Sequence, residues 1–553
     1  MKTIINLMFL TISIIIYSIK PCYSDVHHHV STGRQLFKAL TEAANNGKDD
    51  CINISPGIYK GGFTYTSSEP NGLTISGSSP DQVILDGGGV EGVLYIDAVQ
   101  TNEFADINIY GLTLRNGRVN GSGGGIFIKN GGSTCIYNCK IYNNIISSGS
   151  GHGLYLSNFG NKNINLGSNI FYNNGNNNST SIVYIHNNLS DIIFTSNIIK
   201  NNSSFYKGGI YIISEGKVNI NSNTISNNSA SRESAGIFAN LQHSGSISLY
   251  KNKITDNIVR YNSTETSNGA GAYIVRAKSV SFSSNIITGN SVKDRKGGGI
   301  YIDSSENISL MNNILAKNSA VYGGAMYIFP VNELNIINNT IAENSADEDG
   351  GGMYLNTSSF VGTMNIYNNI IWENTSNGNG DDIYIHGYGG TRNLYNNNYQ
   401  EINGEWDYSE NNLSVSPLFF SPERGDYHIQ ASSQCINAGY QYYTMYDEYG
   451  KITSNIRDKD NIKRNIIDIG AYEYNTDAKH PADTNSNWII EESEFTSYNN
   501  SWRNRGYSYS SYYDGNLIPI DYVTRAGYIV ESGGSYINTG AGKPVCWTPN
   551  NSN

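Results

Sequence analysis

Apolar and polar residues alternate in short runs along most of this chain, and the runs recur. The string GGGIYI at Gly297 to Ile302 has relatives around Ile126, Leu154, Val183, Ile210, Ile237, Ala272, Met326, Met353 and Ile383, at steps mostly of 26 to 30 residues with one of 35. The long step holds an inserted loop, Tyr261 to Gly269. Each copy runs into a second motif, N-x-I or N-I-I closed by N-N or a relative, as in Asn285 to Asn290, Asn313 to Asn318 and Asn339 to Asn344. Alternation with period two, punctuated by Asn, Gly and Ser, predicts short strands in every copy. Two or three short strands cannot bury their apolar side alone. Stacked copies can, if each strand pairs with its counterpart in the next copy about 4.8 Å away.

The predicted fold class is therefore all-β, a right-handed parallel β-helix solenoid over residues 116–400. Less regular turns between Cys51 and Asn116 bring the expected total to about twelve coils and a rod roughly 60 Å long. A β-propeller would need repeats of about 40 to 50 residues. The recurrent Asn is expected at the corners of the coil for two reasons. It tolerates left-handed backbone angles, and identical amides stacked at strand spacing hydrogen-bond as a ladder. In the first copy Cys139 takes the Asn slot. A buried thiol is expected there rather than a bridge to Cys135, because four residues along a strand is too far.

The ends of such a rod need covering. Near the start, Gly33 to Asn46 has the one clear amphipathic helical pattern, with Leu36, Leu40 and Ala43 or Ala44 on one face. That helix, followed by INISPGIY (Ile52 to Tyr59), TISG and VILDGGG, resembles the opening of pectate-lyase-like β-helix proteins, and the later repeats are similar to those of bacterial surface and autotransported β-helix proteins. After Tyr399 the repeat stops. The strings SPLFF (Ser416 to Phe420), GDYHIQASSQCINAG (Gly425 to Gly439), Arg464 and DIGAYE (Asp468 to Glu473) resemble the choice-of-anchor Q domain. The resemblance covers about 60 residues and implies a terminal cap followed by a surface-attachment element, with no particular chemistry.

The first residues carry the parts of a secretory signal: Lys2, the apolar run Ile4 to Ile19, and small residues at Cys22 and Ser24 before a cut ahead of Asp25. The run is short for a membrane span and is interrupted by Lys20 and Pro21. The expected organisation is a signal over 1–24, an N-terminal cap and irregular coils over 25–115, repeats over 116–400, the Q-like cap over 401–475, and a small α+β unit over 476–553. His27 to His29 is read as a flexible start of the mature chain, with weak metal binding as the sharper alternative. Five cysteines remain after the cut, so at least one is unbridged.

Composition narrows the partners. The chain has 553 residues, 38% hydrophobic and 15% charged, with 59 Gly and 42 Tyr, which suits turn-dense β structure and not disorder. A net charge of −11 argues against nucleic acid and makes cations the expected small partners.

Three features are candidates for chemistry. The string DTNSNWIIEESE fits the twelve-residue calcium loop of EF-hands: Asp483, Asn485 and Asn487 at positions 1, 3 and 5, the Ile489 carbonyl at 7, Glu491 at 9 and Glu494 at 12. Ile490 is the apolar strut, and Trp488 stands where Gly is usual. Glu494 to Trp502 reads as the exiting helix. The arrangement is similar to half of a dockerin without a second loop, and Ile518 to Trp547 reads as a small β unit. The second feature is an aromatic between two inward aliphatics in every copy, Phe127, Tyr155, Tyr184, Tyr211, Phe238, Tyr273, Tyr301, Tyr327, Tyr354 and Tyr384. These rings should form one outward column, either a stabilising stack or a track for a glycan, for which Tyr273, Tyr301, Tyr327, Tyr354 and Tyr384 are the candidates. The third is an acidic group, Asp347, Glu348, Asp349, Asp381 and Asp382, on adjacent coils. Paired carboxylates within roughly 10 Å could hydrolyse a glycoside or hold calcium for a lyase, but no Arg or Lys base is evident in the same coils. Gly151-His152-Gly153, Arg276-x-Lys278 and Asp381-Asp382 have the residue types of polygalacturonases in the wrong order, several coils apart.

The expected role is a non-catalytic, exported cell-surface or extracellular protein for adhesion or glycan contact. A lyase or hydrolase acting on acidic polysaccharide is the alternative.

Overall fold

The computed structural model describes residues 24–98, 105–160, 162–176, 179–260 and 268–440, then 445–446, 452–453, 457–460, 467–474, 480, 482–483, 489–503, 520–538 and 547–549. The predicted signal up to residue 23 and residues 261–267 of the insert lie outside them. Parallel sheets of 26 and 13 strands run the length of a solenoid, and a third of 7 strands runs from Ser203–Ser204 to Thr375–Ser376. The 13-stranded ladder, from Gly57–Lys60 to Asn398–Tyr399, counts one more coil than expected. Ile126, Leu154, Val183, Ile210, Ile237, Ala272, Ile300, Met326, Met353 and Ile383 are successive rungs of a single ladder. The solenoid is a right-handed parallel β-helix, the hand expected of parallel crossovers.

One coil shows why the sequence closes. Ile300–Met311 forms a long strand that bends at Ser304 (φ 50°), Ile314–Ala316 and Ser319–Ala320 follow, and Gly323 turns the chain into the next coil. Ile300, Ile302, Ile308, Leu310 and Leu315 point inward and are buried. Gly323 has φ of 66°, and a Cβ there would stand 2.3 Å from the Met326 carbonyl oxygen. The two remaining corners carry the asparagines.

Those asparagines divide the work differently from the sequence expectation. The residue before each ladder Asn takes the left-handed angle, as at Asn312 and Lys317 (φ 55° and 57°). The ladder Asn itself is buried. Asn169, Asn197, Asn223, Asn252, Asn285 and onward pass hydrogen bonds from Nδ2 to the next Oδ1 at 2.9 to 3.2 Å, and a second ladder runs from Asn144 to Asn374. Each amide also donates to a core carbonyl, as Asn285 does to Leu249 at 2.8 Å. Cys139 begins the first ladder as a free, buried thiol. Its backbone N–H donates to Asn169 Oδ1 at 3.0 Å, and burial pushes the thiol up to about 12. Cys51 is disulfide-bonded.

At the start, α1 (Gly33–Ala43) is capped by Thr32 Oγ1, which accepts from Gln35 N at 3.2 Å, and it buries Leu36, Ala39, Leu40 and Ala43. The histidine run is not a loose start. Val26–Val30 pairs with Asp50–Ile54 as the first rung, and His28 Nε2 lies 2.8 Å from Asp50 Oδ1. Alternation carried the run into the ladder, with a buried carboxylate as partner.

Residues 416–440, 457–460 and 467–474 lie along the outer side of the 13-stranded ladder. Tyr427, Ile429, Cys435, Ile469 and Ala471 pack on Ile314, Ala342 and Ile370. Their anchors are the left-handed corner asparagines, whose amides point outward: Asn312 donates to the Arg457 carbonyl, Asn338 to Asp468 and Gly470, Asn368 to Tyr440 and Asn396 to Ala438. Earlier coils place Ser168, Ser196, Ser222 and Lys251 at this corner.

The last unit is α+β. Helices α2 (Glu492–Arg503) and α3 (Ile520–Glu531) and the hairpin Tyr536–Asn538 with Trp547–Pro549 enclose Ile490, Tyr498, Ala526, Ile529, Tyr536 and Trp547. Ile520–Glu531 therefore corrects the reading of Ile518 to Trp547 as purely β. Its β-formers sit at helical spacing, and burying Val523, Ala526 and Ile529 on one face outweighed their local preference.

Candidate functional site

The third ladder, of two-residue strands, was not evident in the sequence, and it organises the most distinctive surface. Ile258–Val259, Ser291–Val292, Ser319–Ala320 and Ser345–Ala346 stack in register. The next residue in each coil forms one column: Arg260, Lys293, Val321, Asp347 and then Asn377. Arg260, Lys293 and Asp347 are exposed and wall an open cleft of about 450 Å³. Its floor is Val259, Val292 and Ala320, beside the Ser291 and Ser319 hydroxyls, which hydrogen-bond at 2.8 Å. The coils that carry the acids hold no Arg or Lys base beside them, as expected, but stacking brings in cations from earlier coils. Lys293 is two coils from Asp347 along the chain path yet only about 10 Å away at strand spacing, within reach of long side chains.

Of the other candidate acids, Glu348 is exposed and the remaining three are engaged. Asp349 Oδ1 accepts from the Asn379 N–H and amide at 2.8 and 2.9 Å, and Asp381 Oδ1 accepts from Ser376 N and Oγ at 2.7 and 2.9 Å. Asp382 ends the second amide ladder. It is fully buried and accepts from Asn374 Nδ2 at 2.8 Å and from Gln400 N at 2.6 Å. Burial raises its carboxyl to about 6 against the pull of those donors. His152 is likewise structural: Nδ1 accepts from Ile146 N at 3.1 Å, Nε2 meets Ser179 Oγ at 2.8 Å, and burial lowers it to about 4.

The aromatic column forms as expected and begins one coil earlier, at Tyr95. Neighbouring ring centroids are 4.5 to 5.5 Å apart from Tyr95 to Tyr384, some stacked and some edge to face. Its middle is outward but not open. Tyr301, Tyr327 and Tyr354 are 7%, 3% and 8% exposed. Rings at strand spacing cover one another, and Lys207 and Lys296 lie over Tyr211, Phe238 and Tyr327. Tyr273 and Tyr384 flank this buried group.

Of the calcium-loop residues, Asn485 and Asn487 lie outside the described residues. Asp483 is buried and its Oδ2 accepts from the Tyr536 hydroxyl at 2.8 Å. Glu494 is buried in the first turn of α2, where its Oε2 accepts from Glu491 N at 3.2 Å. Ile489 bridges Ser535, and Ile490 is in the core. Burial, the hydrogen bond to Asp483 and the charges of Asp483 and Glu494 raise the Tyr536 hydroxyl. Among the described residues no group of three or more acidic, His or Cys side chains forms a metal cluster.

This fold defines a β-helix repeat protein. The family described as right handed beta helix region matches residues 208–399. Among solved structures, an alginate lyase from Paenibacillus sp. str. FPU-7 is similar over 70% of this chain and 99% of its own, at 14% identity and a TM-score of 0.22. No curated protein matches the chain. Among the described residues no helix is long and apolar enough to cross a membrane.

Proposed function

We propose that the chain is an exported, non-catalytic β-helix that contacts a glycan or matrix outside the cell, with residues 401–475 as its choice-of-anchor Q-like part. The observation that carries this reading is the engagement of Asp349, Asp381 and Asp382 in fixing backbone and ladder, which leaves Asp347 as the candidate acid that faces the cleft. Retention of the full chain on immobilised polysaccharides, with no release of reducing or unsaturated sugar, is the expected result. Sugar release abolished by Asp347→Ala would replace this reading with the enzymatic one.

One observation favours that second reading. Two cations beside a carboxylate are what proton abstraction next to a sugar carboxylate requires, and Arg260, Lys293 and Asp347 share a cleft. Unsaturated product from an acidic polysaccharide, lost in Lys293→Ala, is its signature.

Calcium at Asp483 to Glu494 belongs to either reading as a structural ion. Bound there it would neutralise the Asp483 and Glu494 carboxylates and fix the entry to α2. Calorimetry of the full chain should show calcium heat that Glu494→Ala removes. No heat in the wild type rejects the site.

A further inference from the structure

The column beside the cleft changes sign along the rod. Arg260 and Lys293 precede Val321, and Asp347 with Glu348 follows it, each one coil further on. All four charged side chains are exposed. Ion pairs found along this edge lie elsewhere, such as Lys207 with Glu233, and hydrogen bonding takes up Asp349 but not its two acidic neighbours. A surface that is basic for two coils and acidic for the next is complementary to itself when reversed.

We propose that this edge is a self-pairing surface, on which a second copy of the chain docks antiparallel about a two-fold axis near Val321 and Tyr322. Such an axis sets Lys293 opposite Asp347 of the second copy and the reverse, so both halves of the contact are satisfied at once. Arg260 then faces the loop at Asn377 to Asp381, whose Asp381 is acidic. Val321 and Tyr322, half-buried on the axis, supply the apolar centre. The small floor residues Ala320 and Val292 recess the middle of the strip, so the projecting Asp347-Glu348 turn of one copy enters the cleft walled by the cations of the other.

The strip is roughly 20 to 25 Å long at one strand spacing per coil, which places the pair among small, weak interfaces. Its attraction is charge across a wet surface, so it is sensitive to salt. This inference does not depend on what the rod binds or whether it acts on it.

The test uses sedimentation velocity on the full chain. At about 50 mM salt the wild type should dimerise in the tens of micromolar and revert to monomer at about 500 mM. The variant R260E/K293E makes the strip wholly acidic and D347K/E348K makes it wholly basic. Each should weaken self-association at least about tenfold, and an equimolar mixture of the two should restore a heterodimer. A wild type that stays monomeric at low salt overturns the proposal, as does a mixture that stays monomeric. So does a monomeric wild type that binds an acidic polysaccharide and loses it in R260E/K293E, since the cations would then serve the glycan.

Discussion

The coils and the segment that lies along them meet the same requirement, partners for buried backbone at tight corners, with different chemistry. In the coils the partner is an amide used over and over: Asn252, Asn285 and Asn313 each accept from the N–H one coil back and donate one coil on. In the flanking segment the partners are carboxylates that do not repeat from coil to coil. Asp468 accepts from Asn437 and Tyr474, Glu473 from Asp468, and Asp458 from Glu473. Amides do not titrate and carboxylates do. The two histidines make the same point. His152 in the rod is held neutral by burial. His428 in the flanking segment is opposed by burial, but Asp426 at 2.6 Å and Asp460 at 3.3 Å raise it to about 9, and it stacks on Tyr472 at 3.7 Å. The rod around its asparagine ladders, short of the Asp382 carboxyl that ends the second one, should therefore be indifferent to pH where the flanking segment is not.

Breaking a ladder in the middle should have the largest effect. Asn285→Ala takes their partner from the Leu249 carbonyl and the Asn252 N–H and removes one of the two bonds of the Asn252 amide, all buried. At 1 to 3 kcal/mol for an unsatisfied buried group, a loss on the order of 4 kcal/mol is expected. Since a solenoid need not unfold in one step, hydrogen exchange in the coils around Asn285 is the measurement, and protection should fall there by the same amount at pH 6 and pH 9. A pH-dependent loss would erase the contrast drawn above.

The flanking segment should respond to pH alone. The folded value of His428, about 9, lies above its ordinary 6.5. Its contribution is then complete below pH 6.5, declines as pH rises through 9, and is gone above that, a change on the order of 3 kcal/mol. Exchange protection at residues 426–429 and 467–474 should drop over that window while the coils hold. His428→Gln should flatten the profile, and a profile unchanged by it would assign the dependence to another group.

Repetition also decided what could be read in advance. The register of Ile300 on Met326 was legible because ten copies repeat one phase, and the ring column followed from it. What occurs once, or differs between coils, was not. The Val26–Val30 strand has one partner, α3 hides a helical face in β-forming residues, and the cleft needs the two-residue Ser-Ala strands to bring Arg260, Lys293 and Asp347 into line. One signal was available and unread. The left-handed corner changes from Ser168, Ser196 and Ser222 to Asn312, Asn338, Asn368 and Asn396 where the flanking segment docks.

The smallest effect sharpens the contrast by adding a rung. Cys139 starts the first ladder: its N–H already donates to Asn169 Oδ1, and its sulfur sits beside the Ile109 carbonyl at 3.9 Å and near the Leu112 N–H. Those are the groups an amide would use, since elsewhere each ladder Asn donates to a core carbonyl one coil back and accepts the N–H of the residue below. Cys139→Asn should therefore gain two or three buried hydrogen bonds for a nearly equal volume, about 1 kcal/mol of added stability after desolvation. Exchange protection in coils 107–146 is the readout. A loss of protection there would mean that the first coil is too tight for the ladder, and that the thiol is a steric requirement and not a missing rung.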